Sequence, residues 1–227
     1  MSLPTFKSVA DHALLIEFGT HVDDDLNKKV VALDQVISRA AISGVVETVP
    51  ALVNLLVIFD PTVTTHTMIQ AAVSRLFPLD VTNHGGQAKH RVSVCYDTEL
   101  SPDLICVARA NDMSVNALIA AHLSAELRVS MYGFAPGFAY LSGLPQAIQV
   151  PRKPSATRGV PTGRVMIAGP QCLITTVVMP TGWSIIGRSP LQIIQDNPDD
   201  PFLFKVGDTV VFDRIERADL PIELQSP

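Results

Sequence analysis

Charge is scarce in this chain. Asp, Glu, Lys and Arg make up 17% of its 227 residues, against about a quarter in an ordinary domain. The longest basic run is Arg152-Lys153, which excludes the electrostatic footprint of a nucleic-acid-binding surface. Cysteine is nearly absent. Cys95, Cys106 and Cys172 are odd in number and lack CxxC spacing, so neither a zinc knuckle nor a disulfide framework follows. All three read as buried thiols of a reducing cytoplasm. Apolar runs such as LLVIF fall far short of the ~18 residues that cross a bilayer. The opening MSLPTFKSVADHALLIEFG has no basic segment ahead of an apolar stretch, so no signal peptide is expected. Neither GxxxxGK[ST] nor GxSxG occurs, which excludes a standard ATP cradle and a serine nucleophile elbow.

What is present is apolar. Hydrophobic residues make up 47%, the mean hydropathy is +0.29, and the net charge is -5 with a pI near 5.6. Such a chain buries a sizeable core as one large domain or two small ones. The apolar excess suits a face turned toward a partner subunit.

Residues 13–18, ALLIEF, alternate Leu14, Ile16 and Phe18 with Glu17 and predict a strand. Asp23-Asp24-Asp25 place negative charge at a helix start; Leu26, Val30, Leu33 and Ile37 form its apolar stripe, and Gly44 ends it. VVETVP (45–50) and LVNLLVIFD (52–60) predict two strands, the second apolar on both faces and therefore central, with a helix near 64–77 beyond. This β-α-β-β-α order predicts a small α+β N-terminal domain, ferredoxin-like, with helices on one side. Residues 80–89, DVTNHGGQAK, are polar and aperiodic and predict a linker, so the expected domains are 1–84 and 85–227.

HRVSVCY (90–96) predicts the first strand of the second domain. Ser101-Pro102-Asp103 reads as a helix start, and Ser114 caps a second helix, 115–124, that carries His122. Beyond Leu127, short apolar stretches divided by Gly and Pro predict strands at RVSMY, RVMIAG, CLITTVVM, GWSIIG, LQIIQ and DTVVFDRI. Many short strands with few helices predict a mainly β domain, closed or nearly closed into a barrel.

Three segments carry candidate chemistry. In GFAPGFAY (133–140), Gly133 and Gly137 permit backbone conformations closed to other residues, and Pro136 stiffens the bend. Phe134, Phe138 and Tyr140 then either wall a small flat ligand or plug the barrel mouth. VPRKPSATRGVPTGRV (150–165) carries Arg152, Lys153, Arg158 and Arg164 on a proline-stiffened loop. Guanidinium groups so placed suit a carboxylate or phosphate; a solvated loop or a subunit contact is the alternative. GWSIIGR (182–188) holds the only tryptophan, Trp183, as core, interface or ligand stack, and Arg188, expected to share a cavity with the other arginines. His122 lies near a helix C-terminus, where the dipole favours the protonated form. It is either structural or a base whose partner the spacing does not identify. His12, His21, His66, His84 and His90 show no HxxxH spacing, and no metal site is expected.

Read in order, GFAPGFAYLSGLP, VPRKPSATRGVPTGRVMIAGPQ, GWSIIGRSP and FKVGDTVVF resemble the B subunit of bacterial 5-oxoprolinase. That family also takes in the Kip-type histidine-kinase inhibitors, the protein labelled allophanate hydrolase subunit 1, and a module of the carboxyltransferase domain of urea carboxylase. DHALLIEFG and LLVIFDP resemble its first domain. The resemblance implies an α+β N-terminal domain followed by a cyclophilin-like β-barrel. It implies a non-autonomous subunit of an ATP-dependent lactam hydrolase that opens 5-oxoproline to glutamate with the A and C subunits of 5-oxoprolinase as partners. ATP with magnesium is the implied cofactor, held here or by a partner. Arg152, Arg158 and Arg188 then bind anionic groups, Arg158 as a catalytic residue. His122 and Gln171 orient substrate or water, and Phe134, Pro136, Gly137, Tyr140 and Trp183 form the walls. The alternatives are a binding protein that docks on a histidine kinase and a carboxyltransferase-type subunit; alone, the chain is a candidate homo-oligomer. Two places depart from the family pattern. Pro180-Thr181-Gly182-Trp183 stands for Pro-Gly-Gly-Trp, and Cys172-Leu173-Ile174-Thr175 follows Gln171 where the family has Thr-Gly-Ile-Tyr.

Overall fold

The computed structural model describes residues 4–81 and 88–226. The chain divides into two compact units, 1–86 and 87–227. Most of the expected linker, His84 included, lies outside the described residues.

In the first unit, strands β1 (Thr5–Val9), β2 (Ala13–Glu17), β3 (Val45–Pro50) and β4 (Asn54–Phe59) form an antiparallel sheet in the order β1-β2-β4-β3. Helices α1 (Asp24–Ala40) and α2 (His66–Ser74) complete it. Register sets Leu14 opposite Val57 and Ile16 opposite Leu55, so these four side chains share a face. Val30, Leu33 and Ile37 of α1 and Ile69 and Val73 of α2 pack on that same face. Each such side chain contributes about 1.5–3 kcal/mol by leaving water. The central place of β4 follows from its two apolar faces.

The order differs from β-α-β-β-α by the edge strand β1. TFKSV keeps most of its side chains in water and carries no apolar alternation to announce it. Helix α1 starts at the acidic run, where the Asp23 carboxylate accepts from the Leu26 amide at 2.9 Å. It stops earlier than expected, at a left-handed Ala41 with φ 44°, before Gly44 is reached.

In the second unit seven strands close into a barrel, in the order β10-β7-β6-β13-β5-β12-β9. They are β5 (Lys89–Cys95), β6 (Leu127–Tyr132), β7 (Ala139–Ser142), β9 (Arg164–Ala168), β10 (Gln171–Ile174), β12 (Ser184–Arg188) and β13 (Thr209–Ile215). Strands β8 (Thr157–Val160) and β11 (Met179–Thr181) form a separate two-stranded ribbon. Alternation sends Val92, Val94, Leu141, Val165, Ile167, Cys172, Ile174, Ile186, Val210 and Phe212 into one interior cluster. Helices α3 (Leu104–Ala110) and α4 (Val115–Leu123) add Leu104, Val107, Leu118 and Ile119 to it.

The opposite face of the wall is also covered. Met166, Leu173 and Ile185 pack with Phe138, Val160, Met179 and Trp183 in a second apolar layer beneath the ribbon. Strands β9 and β12 are therefore buried at every position. At the bulge in β12, a Cβ on Gly187 would stand 2.5 Å from Val94 Cγ1, so only glycine lets β12 close on β5.

Several expectations are corrected. CLITTVVM is a strand only to Ile174. Thr175 turns the chain, its hydroxyl accepting from the Arg164 amide at 2.8 Å and donating to the Pro161 carbonyl at 2.7 Å. LQIIQ makes a single bridge, Ile194 to Phe202. Strands β7 and β8 lie in segments expected as loops. Ser114 caps α4, accepting from the Ala117 amide at 3.1 Å, but Asp103 makes no side-chain cap for α3. Cys95 and Cys172 are buried, while Cys106 is exposed on α3. Among the described residues no single helix is long and apolar enough to cross a membrane.

Candidate functional site

Loop 133–138 joins β6 to β7. Its left-handed residues are Phe134 (φ 69°) and Gly137 (φ 69°), so the strained position is Phe134 and not Gly133. Phe134 is 70% exposed. The loop is held from the far side, where the Thr176 hydroxyl donates to the Pro136 carbonyl at 2.8 Å. A Cβ on Gly137 would stand 3.1 Å from Ile194 Cγ1, which explains the glycine.

From this loop an aromatic row runs along the outer wall of the barrel. Ring centroids are 5.2 Å apart for Phe134–Phe138, 5.6 Å for Phe138–Tyr140 and 5.9 Å for Tyr140–Trp183. The row ends at Arg152, whose guanidinium carbon lies 5.6 Å from the Trp183 ring centroid. Gln171 pairs with Ser142 in the register, two residues from Tyr140 along β7, so it shares the outer wall with Tyr140. Its amide Nε2 is buried and has no hydrogen-bond partner among the described residues. A buried amide without a partner costs about 1–3 kcal/mol, which a ligand acceptor would recover.

The proline-rich loop is pinned beside the row. Lys153 donates from its amide to the Gly182 carbonyl at 2.6 Å, and its ammonium meets Asp103 Oδ2 at 2.7 Å and Thr157 Oγ1 at 2.9 Å. These bonds hold Arg152 over Trp183 and leave Lys153 engaged. Arg158 is exposed on β8, in the ribbon where Thr157 pairs with Thr181. Thr181, the departure from Pro-Gly-Gly-Trp, is buried and accepts from the Trp183 amide at 3.0 Å.

Two expected members lie elsewhere. His122 is fully buried among the interior residues of the barrel. Its Nδ1 shares a hydrogen bond of 2.7 Å with the Tyr96 hydroxyl, its Nε2 lies 3.6 Å from Cys172 Sγ, and its ring stacks on Phe212 at 4.6 Å. Burial brings its pKa down to about 3, so desolvation outweighs the helix dipole and the ring is neutral. Burial likewise pushes the Cys172 thiol up. Arg188 stands at the far end of β12, roughly 15 Å from Trp183 at the usual rise of a strand. There it faces Arg164, a residue that spacing alone did not separate from the other loop arginines. The expected single cavity is thus replaced by a row and a distinct arginine pair.

A cleft of about 510 Å³ adjoins the arginine end, lined by Gly163, Thr175, Ser189, Ile194, Glu223 and Leu224 among others. Through Thr176 and Ile194 it meets the underside of the aromatic loop. Among the described residues no group of three His, Cys, Asp or Glu is placed to hold a metal ion.

An aromatic row edged by a guanidinium and a buried amide thus lies on the wall of a closed barrel. Residues 4–204 match the carboxyltransferase domain, subdomain C and D, and the chain belongs to that family, which includes the B subunits of 5-oxoprolinase. It is 32% identical to the 5-oxoprolinase B subunit of Bacillus subtilis (strain 168), over 94% of this chain and 93% of that one. It is 30% identical to the protein of the same name from Escherichia coli O157:H7, over 90% of this chain and 93% of that one. Among solved structures, TTHA0988 superposes with a TM-score of 0.79 at 29% identity; the match covers 91% of this chain and 40% of that larger one.

Proposed function

We propose that this chain is the B subunit of an ATP-dependent 5-oxoprolinase, opening the 5-oxoproline lactam to glutamate together with the A and C subunits. The observation that carries the reading is the match to named B subunits over nearly the whole of both chains. The outer-wall site supports it chemically. The substrate is a flat five-membered ring bearing a carboxylate. The ring suits the half-buried Tyr140, and the carboxylate suits the exposed Arg152 or Arg158, each charge-assisted bond being worth about 1.5–3 kcal/mol. The Gln171 amide, which has no partner among the described residues, is a donor for the lactam carbonyl oxygen, where negative charge gathers as a nucleophile adds to the carbonyl carbon. Pro136 and Gly137 shape the loop and do not touch substrate in this reading. His122, neutral and enclosed, is assigned to the scaffold.

ATP supplies phosphoryl activation of a stable amide. The sequence carries no GxxxxGK[ST] phosphate loop, and we assign nucleotide binding to one of the partners. The test is glutamate release from 5-oxoproline by the chain mixed with its A and C partners, with and without ATP. Release that needs all three proteins and ATP supports the reading. Carboxyl transfer from a biotinyl carrier to urea, without lactam opening, would instead assign the chain to the carboxyltransferase activity that its domain is named for.

A further inference from the structure

Strand β6 carries one residue more than its partner requires. Its register with β7 sets Arg128 opposite Ser142 and Val129 opposite Leu141, then shifts, so that Met131 stands opposite Tyr140 and Ser130 is left out of the ladder. An extra residue of this kind re-aims a side chain, and such bulges are frequent beside active sites. Val129 and Leu141 belong to the barrel interior, so Arg128, Ser142, Met131 and Tyr140 belong to the outer wall. The bulge turns Ser130 to that wall as well. Its hydroxyl donates to Ser142 Oγ at 2.6 Å, with the Arg128 carbonyl farther off at 3.4 Å.

Across β6, β7 and β10 the outer wall therefore has two rows. Arg128, Ser142 and Gln171 make a polar row; Met131, Tyr140 and Leu173 make an apolar one beside it. Arg128, Met131, Tyr140 and Gln171 are half-buried around Ser142, which keeps 9% of its surface exposed. A flat ring seated on Tyr140 turns its polar edge to Ser142 and Gln171, whose Cβ atoms, as a directly opposed pair, stand about 5 Å apart. A serine hydroxyl has one proton to give and two lone pairs. Ser142 receives the Ser130 proton on one lone pair, and its own proton goes to no described residue. The Gln171 amide beside it likewise has no partner among the described residues. Two adjacent donors suit a carbonyl oxygen on which negative charge gathers, and donation from Ser130 polarises the Ser142 hydroxyl further.

We propose that Ser142 is a second hydrogen-bond donor to the lactam carbonyl oxygen, beside Gln171, and that Ser130 is a positioning residue that keeps the Ser142 proton turned toward the substrate. This rests on the reading of the chain as a 5-oxoprolinase B subunit. The test is ATP-dependent glutamate release by the chain assembled with its A and C partners, gel filtration showing that each variant assembles. Ser142→Ala is expected to lower kcat roughly a hundredfold, with KM changed by less than about threefold. Ser142→Cys keeps the side-chain size but is only a weak donor, and carries the test should Ser142→Ala fail to assemble; its kcat is expected to fall at least about tenfold. Ser130→Ala is expected to lose about tenfold in kcat, and the double variant with Ser142→Ala no more than Ser142→Ala by itself, because Ser130 acts only through Ser142. No release by the wild type sinks the B-subunit reading and this inference with it. Release by the wild type, with kcat kept in the Ser142 variants, a loss confined to KM, or additive effects of Ser130 and Ser142, overturns this inference and leaves the reading standing.

Discussion

Asp103 Oδ2 accepts both the Lys153 ammonium, at 2.7 Å, and the Ile185 amide, at 2.8 Å. One oxygen thus ties the proline-rich loop to the barrel wall, with both ion-pair side chains about four-fifths buried. Asp103→Ala is expected to cost about 2–3 kcal/mol, because it strands a backbone donor and an ammonium together. Asp103→Asn, which keeps an acceptor for Ile185, is expected to cost roughly half as much. Urea denaturation of the three proteins measures this, and equal midpoints would remove the tie from the account.

Phe134 combines a left-handed backbone with exposure, so it does little for the fold that carries it. Phe134→Gly is expected to leave stability unchanged or to raise it by up to about 1 kcal/mol; truncating a core phenylalanine costs about 3–5. The same variant is expected to weaken assembly with the A and C partners. Thermal unfolding and gel filtration of the mixed proteins read the two effects separately.

The Arg152–Trp183 contact joins an exposed guanidinium to a buried ring. A double-mutant cycle with Arg152→Ala and Trp183→Phe is expected to give a coupling of about 0.5–1 kcal/mol in stability. In the assembled enzyme each single variant is expected to raise KM for 5-oxoproline more than it lowers kcat. The opposite split would place the pair at the reacting bond and away from the ring.

His122 makes stability depend on pH. Its folded pKa, about 3, lies below the ordinary 6.5. The unfolded chain therefore binds this proton first. The stabilisation is complete above pH 6.5 and is lost as the pH falls toward 3. At about 1.4 kcal/mol per unit, roughly 2 kcal/mol disappears between pH 6.5 and 5. His122→Leu is expected to lose that share of the slope, though it starts lower because the Tyr96 hydroxyl loses its partner. Denaturation series at several pH values compare the slopes, and identical slopes would contradict a neutral buried ring.

Of the three cysteines only Cys106 meets water. A thiol reagent is expected to label one cysteine in the native protein and three in denaturant, with the protein still folded after the first. Native labelling at Cys172 would show the barrel interior to be open.

Much of the fold was legible along the chain. The stripe Leu26, Val30, Leu33, Ile37 is periodic enough to specify α1, and the two apolar faces of NLLVIF place β4 at the sheet centre. The edge strand β1 was not legible, because an edge exposed to water needs no apolar alternation. Nor was β7, hidden behind the glycines and proline of the loop that leads into it. Of the site, the aromatics and Arg152 could be named from GFAPGFAY and VPRKP, since few structures need that composition. Which arginines meet could not be named. Arg158, Arg164 and Arg188 look alike in sequence, and pairing across strands decides that the last two face each other while the first stays in water.

The order of residues alone determined that this chain makes an α+β unit and then a strand-rich one, because hydrophobic period and turn residues are local properties. It also determined that rigid aromatic and cationic segments would be present. Only closure of the barrel decided their placement. Inward and outward faces alternate along each strand, so a shift of one position exchanges them. Closure enclosed His122, lined up Phe134, Phe138, Tyr140 and Trp183 on the outer wall, and set Arg164 opposite Arg188.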